Sequence, residues 1–253
     1  MSKVPELRIT AITGLPEVTP TSDLVGLVIE GAERQDLRIL DGDILVFTQK
    51  VVSKAEGQLV RLSEVKPSKL AEAFARDGNK DPRSVEVVLG QARRVVKMDR
   101  GILITETEHG LVCAHAGVDA SNVPDLDTVV LLPEDPDRSA AGLRSAIRER
   151  ANADVAVIIS DTFGRPWREG LTNVAIGVAG ISPLVDYRGQ HDPQGRSLNA
   201  TVIAVADELA AAAELVMGKL DRIPVALVRG YSYQTNGGKG TDLVRSADKD
   251  LFR

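Results

Sequence analysis

The chain predicts an α+β fold with mixed β-sheets and packed helices, and three observations carry this. Two short stretches, 95–97 and 102–105, flank Asp99-Arg100-Gly101 and read as paired strands. Residues 155–160 form a continuous apolar run of the kind buried on both faces of a sheet. Residues 202–217 keep helical spacing and stop at Gly218. Strand pairs thus mix with strand–helix units, which favours α+β over a pure βαβ repeat.

The other elements follow in chain order. Residues 7–12 alternate as a strand does, and Gly14-Leu15-Pro16 breaks them as a turn. Residues 23–33 have helical spacing, with Thr21 and Ser22 as caps. Asp41-Gly42-Asp43 is a turn before a buried strand at 44–48, and Val51-Val52 carries the apolar run on toward Lys54. Residues 67–76 and 84–89 read as helices, 111–114 and 128–132 as strands. Asp137 can cap a helix at 139–151. A strand at 225–228 leads into a polar, glycine-rich loop at 231–240, and the end turns helical. Pro133-Glu134-Asp135-Pro136 is the one candidate boundary and is too weak to divide the chain. Residues 1–253 are therefore expected to act as one unit, with one or two lobes.

The bulk numbers exclude several classes. A chain of 253 residues, 43% of them hydrophobic, can bury a substantial core. Acidic side chains outnumber basic ones by 36 to 31, for a net charge of −5, where a duplex-binding protein would carry a basic excess. Aromatics make up 3%, too few for a base-stacking surface, so nucleic acid is not an expected partner. The single cysteine, Cys113, fits a reducing compartment. No apolar signal core and no run of about 20 apolar residues appears, so the expectation is a soluble, cytoplasmic protein with no membrane partner.

Two aspartates suggest chemistry. Asp119 and Asp161 each end a hydrophobic run, a poor place for a carboxylate if stability alone matters. Brought together they offer hard oxygen ligands for Mg²⁺ or Mn²⁺, to which Thr162 could add a hydroxyl and beside which Asn122 stands. The plainer alternative is that each caps a turn or helix. Lys54, in Gln49-Lys50-Val-Val-Ser53-Lys54, could reach a phosphate or acyl phosphate, or be a solvated lysine. In the loop Ser232, Tyr233, Gln234, Thr235, Asn236, Gly237, Gly238 and Lys239, glycines let backbone N–H groups approach phosphates, yet a flexible surface turn reads equally well. Arg188 and Arg196, like Arg165 and Arg168, could hold carboxylates or phosphates, or sit in exposed ion-paired loops. Cys113 and His115 share a strand face without a third partner, so a buried structural cysteine is expected. The three histidines have no zinc spacing, and no nucleophile elbow or dinucleotide fingerprint occurs.

Together these segments resemble the coenzyme F420-0:L-glutamate ligases. The matching blocks are Gly-Leu-Pro-Glu-Val at 14–18, Val-Val-Ser-Lys-Ala-Glu-Gly at 51–57 and Ala-Gly-Val-Asp-Ala-Ser-Asn at 116–122. Further on stand Ser-Asp-Thr-Phe-Gly-Arg-Pro-Trp-Arg at 160–168, Ala-Asp-Glu-Leu at the head of 206–219, and the terminal Asp-Leu-Phe-Arg. The resemblance implies a GTP-dependent ligase that adds L-glutamate to the lactyl carboxylate of F420-0 and extends the tail through γ-linkages. GTP would be the co-substrate, Mg²⁺ or Mn²⁺ the metal and K⁺ a stimulant. It also implies an unusual ligase fold in an intertwined homodimer. Leu15, Pro16, Glu17, Val18, Gln49, Lys50, Lys54 and Asn122 would contact GTP. Asp119, Asp161 and Thr162 would hold metal, and the loop from Ser232 to Lys239 would wrap the nucleotide with Gln234 as a further ligand. Catalysis would rest on Lys54, Asp119 and Asp161. Arg165, Arg188 and Arg196 would hold the anionic tail or the incoming glutamate, with Asp186 or Asp192 as the base for its amine. Some relatives of this kind carry a further flavin-binding domain, in which case dehydro-F420-0 would be the substrate. A ligase for another metabolite and a GTP-binding regulatory module without turnover are the competing readings.

Overall fold

A computed structural model describes residues 4–121, 123, 125–235 and 237–250. Strand β1 (Arg8–Ile12) leads to helix α1 (Leu24–Glu33), strand β2 (Ile44–Thr48) and helix α2 (Gln49–Ala55). An excursion follows: β3 (Leu59–Arg61), α3 (Lys69–Gly78), α4 (Pro82–Gly90), β4 (Ala92–Asp99), β5 (Ile102–Thr107), β6 (Val112–Ala114) and β7 (Thr128–Val130). The chain then returns through α5 (Pro136–Ala151) to a long hairpin, β8 (Ala156–Arg165) and β9 (Arg168–Ala179). A short ribbon, β10 (Val185–Asp186) and β11 (Val202–Ile203), precedes α6 (Val205–Met217) and β12 (Val225–Arg229).

The main sheet runs in the order β1-β12-β2-β8-β9. Only β2 and β8 pair in parallel; the other neighbours are antiparallel. This is the mixed sheet of the α+β expectation. Alternation along the strands sorts two cores. Leu45, Phe47, Val157, Ile159 and Leu227 pack under α1 and α5, and Ile44, Val46, Ile158 and Val228 pack under α6. Both faces are covered, which is why 155–160 reads as unbroken apolar sequence. The excursion carries β4-β5-β6 and β3-β7 with its own small cores around Leu103 and Val129.

Several expectations change in detail. Asp23 caps α1: its carboxylate accepts from the Gly26 N–H at 3.1 Å, so Thr21 and Ser22 lie outside. Residues 49–55 form a helix, not a continuation of β2, because Gln49, Lys50, Ser53 and Lys54 interrupt the apolar run with good helix formers and polar contacts. Asp135 caps α5, with Pro136 in its first turn. Asp137 instead accepts from the N–H groups of Val178 (2.9 Å) and Gly240 (2.6 Å), tying α5 to β9 and the C-terminal segment. The apolar run at 155–160 continues as strand to Arg165, so Asp161 and Thr162 lie within β8. Its partner β9 escaped notice because Ala175, Gly177 and Ala179 replace the β-branched residues that mark strands. Gly177 is required there: a Cβ would stand 2.4 Å from the Pro136 carbonyl oxygen. Helix α6 starts at Val205, with Val202 in a ribbon strand.

Candidate functional site

The C-terminal ends of β2 and β8 open on one edge of the sheet, and the strongest sequence candidates gather there. A cleft of about 570 Å³ is lined by Leu15, Pro16, Glu17 and Val18 from the loop after β1, and by Gln49, Lys50 and Lys54 from α2. Asp119 comes from the excursion, Asp161 and Thr162 from β8. Asn173, Glu214 and the segment 218–224 after α6 complete the walls. Gly14 turns the first loop at φ +71°, a conformation that favours glycine. A β-bulge lies in the β8–β9 pairing beside Ser160: Ile159 pairs with Gly177 and Ser160 with Ala175, leaving Ile176 over. Such a bulge re-aims the strand next to a site.

Charge in the cleft is arranged in pairs. Lys50 Nζ lies 2.7 Å from an Asp119 carboxylate oxygen and donates to the Ser121 carbonyl (2.9 Å) and hydroxyl (2.7 Å). Burial pushes the Asp119 carboxyl up, but Lys50 and the Ser121 N–H outweigh it and leave it below its usual range. Lys54, 5% exposed, pairs with Glu17, which also meets Arg222 at 3.3 Å. The bond from Lys54 does most to hold the Glu17 carboxyl low. Among the described residues Asp161 has no such partner: loss of surrounding water pushes it up to about 6, and the charge of Asp119 adds to the rise against the Thr162 N–H, Lys219 and Lys50.

Two desolvated carboxylates of like charge are unfavourable neighbours, and a hard divalent cation relieves the repulsion. Asp119 and Asp161 therefore fit Mg²⁺ or Mn²⁺. Among the described residues no three acidic, histidine or cysteine side chains converge.

Thr162 follows Asp161 on the strand, and so faces the α6 side. Its hydroxyl donates to Asn173 Oδ1 at 2.8 Å, and Asn173 Nδ2 donates to Glu214 Oε2 at 2.9 Å. Asn173 is 3% exposed. The end of β8 thus borders two half-sites, one holding Lys50, Asp119 and Asp161, the other Thr162, Asn173 and Glu214. Asn173, Glu214, Lys219 and Arg222 were not singled out from sequence. The available signal was Gly218-Lys219, a charged residue just past a helix stop.

Other candidates lie elsewhere. Strand β12 enters the sheet beside Phe47 and leaves beside Ile44, so the loop that follows it emerges at the edge opposite the cleft. There the Gln234 carbonyl accepts from the Ser182 N–H (2.8 Å), and Tyr233 donates to the Asp43 carbonyl at 3.4 Å. Gly237, Gly238 and Lys239 line a separate depression of about 870 Å³ with Arg138 and Arg148. The described residues of that loop, Ser232 to Thr235 and Gly237 to Lys239, are thus not brought to Asp119 and Asp161 within this chain. Asp186 and Arg188 form an exposed ion pair of 2.6 Å, which holds the Asp186 carboxyl down at about 2. Asp192 closes its own turn, accepting from the Gln194 and Arg196 N–H groups. The ribbon that carries them, β10 and β11, leads directly into α6, and none of Asp186, Arg188, Asp192 and Arg196 lines the cleft. Arg165 donates to the Glu169 and Gly170 carbonyls at its own hairpin tip. Cys113 is buried, its thiol pushed up to about 12 by loss of water and by Asp161, which makes it an inert structural cysteine. Asn122 and Asn236 lie outside the described residues.

A mixed sheet opening on a cleft of paired lysines and carboxylates defines an α+β protein with a charged cleft at the sheet edge. A family model for F420-0:gamma-glutamyl ligase matches residues 13–230, and the chain belongs to that family. It is 43% identical to the coenzyme F420:L-glutamate ligase of Methanothermobacter thermautotrophicus, over 98% of this chain and 99% of that one. It is 45% identical to the ligase of the same name from Methanopyrus kandleri over the full length of both. With that from Methanocaldococcus jannaschii it shares 42%, over 91% of this chain and 96% of the relative.

Proposed function

We propose that the chain is a GTP-dependent ligase that joins L-glutamate to the lactyl carboxylate of coenzyme F420-0 through an acyl phosphate and then adds γ-linked glutamate. The single observation that carries this reading is the meeting of Lys50, Lys54, Asp119 and Asp161 in one cleft, within a chain of this family. We take residues 1–253 as one catalytic unit, working as a homodimer with K⁺ as a stimulant.

A carboxylate is a poor electrophile, so it must be activated before an amine can attack. Transfer of the γ-phosphoryl group of GTP makes it an acyl phosphate. Lys54, fixed by Glu17, and Lys50 balance charge on the phosphoryl oxygens during transfer. The loop of Leu15, Pro16 and Val18 gives the nucleotide an apolar wall. A divalent cation held by Asp119 and Asp161 would supply further charge neutralisation for the phosphates. With a cation held by Asp119 and Asp161, Lys50 would be released from its pairing with Asp119 to balance charge on the phosphate. Lys219 and Arg222 give the acidic substrates a basic rim.

The test is incubation with F420-0, L-glutamate, GTP and Mn²⁺, with products read by mass spectrometry. A gain of one or more glutamyl units coupled to GDP formation supports the ligase. GDP without a glutamylated product means another acceptor. GTP binding without GDP means a regulatory module.

A further inference from the structure

We propose that Glu214 receives the ammonium group of the incoming amino acid and takes its proton. The inference rests on the ligase reading above and assigns the base that reading requires. An ammonium cannot attack an acyl phosphate, and a positioned base contributes about 10²–10⁴-fold to such a step.

The cleft-lining carboxylates are Glu17, Asp119, Asp161 and Glu214. Glu17 is held by Lys54 and Arg222, and Asp119 by Lys50. Asp161 lies beside Asp119 in the half-site that fits a metal. Glu214 alone is left on the other wall, and it has no ion pair among the described residues. Its Oε2 accepts from Asn173 Nδ2 at 2.9 Å. The buried Asn173 is locked in that sense, because its Oδ1 takes the Thr162 hydroxyl at 2.8 Å; a flipped amide would set two acceptors together. Glu214 also sits in the last turn of α6, and its backbone carbonyl accepts from the Gly218 N–H at 2.9 Å. A helix C-terminus disfavours a carboxylate and favours a cation. The position is poor for an unpaired glutamate and good for one that meets an ammonium. Asp186 and Asp192, the sequence candidates for this role, do not line the cleft: Asp186 is exposed and paired with Arg188, and Asp192 closes its own turn.

The step balances as follows. Glu214 removes one proton from the ammonium. The freed nitrogen lone pair attacks the acyl carbon and forms the C–N bond. The C–O bond to the phosphoryl group breaks, and phosphate leaves with the electron pair. The second surplus proton on nitrogen leaves with the phosphate, and Glu214 returns its proton to solvent.

The experiment compares two nucleophiles, L-glutamate and hydroxylamine, with F420-0, GTP and Mn²⁺. Hydroxylamine is neutral near physiological pH and needs no base. For Glu214→Gln, glutamylation should fall about 10²-fold or more, while hydroxamate formation and the KM for GTP stay near wild type. Glu214→Asp should regain part of the loss. Glutamylation near the wild-type rate overturns the role. Equal loss with both nucleophiles overturns it too, since that marks damage to the cleft, which a melting curve would register. A wild-type protein that forms neither product overturns the ligase reading itself.

Discussion

Asp161 is costly where it stands, and the cost has a sign. Its folded pKa, about 6, lies above the ordinary value of 3.8. The metal-free fold therefore prefers the protonated form. The stability this contributes is fully present below the unfolded pKa and is lost as pH rises through about 6. The ceiling is about 3 kcal/mol at neutral pH, less where cleft water screens the charge. Asp161→Asn removes the titration. Without metal, the variant should gain stability over wild type between pH 4 and 7 in denaturant melts, while metal-dependent turnover is lost. Unchanged turnover would take Asp161 out of the metal site. Lys54 tests the same cleft from the other side. Lys54→Ala should weaken GTP use far more than F420-0 binding, and it frees Glu17 to pair with Arg222 alone. Equal loss of both affinities, read by titration, would point to misfolding.

At the scale of elements, Asp137 shows how a local rule loses to packing. From sequence it caps its own helix. In the fold Asp135 does that, and Asp137 serves backbone groups of β9 and the C-terminal segment. Asp137→Ala should cost about 1–3 kcal/mol, by orphaning the N–H groups of Val178 and Gly240. The melting temperature should fall while GTP turnover per folded molecule holds. A fall in turnover without a fall in stability would mean that the C-terminal segment acts in catalysis. Strands β2 and β8 were legible because both their faces are buried and Val, Ile, Leu and Phe fill them. Strand β9 was not, since the close approach of α5 demands glycine at Gly177 and alanines stand at 175 and 179. Asp119, Asp161 and Lys54 were legible as charges that close or follow apolar runs, and Lys50 through the family resemblance alone. Glu214 was not, because one glutamate on an amphipathic helix looks like any solvated face until Asn173 is folded against it. The glycine-rich loop was not legible in its position either. Its composition suits a phosphate, but the antiparallel course of β12 delivers it to the other edge of the sheet.

For the molecule as a whole, the cleft is where the excursion meets the main sheet. Asp119 stands between β6 and β7, Lys50 on α2 and Asp161 on β8. The Lys50–Asp119 pair spans that junction. The Asp119 N–H and carbonyl are also bonded to Val130 of β7, at 3.0 and 2.8 Å. A cation shared by Asp119 and Asp161 would replace a single ion pair by a bridge between the two parts. Binding at a hundred times its dissociation constant would add about 2.7 kcal/mol to stability. The distribution of that gain is the informative part. Mn²⁺ should slow amide hydrogen exchange in β6 and β7 as well as in β8 and β9, because both ends of the bridge are held. Asp119→Asn should abolish the slowing in β6 and β7. Protection confined to β8 and β9 in the wild type would mean that Asp161 binds without Asp119, and the metal site would have to be rebuilt around Asp161 and the α6 side of the cleft.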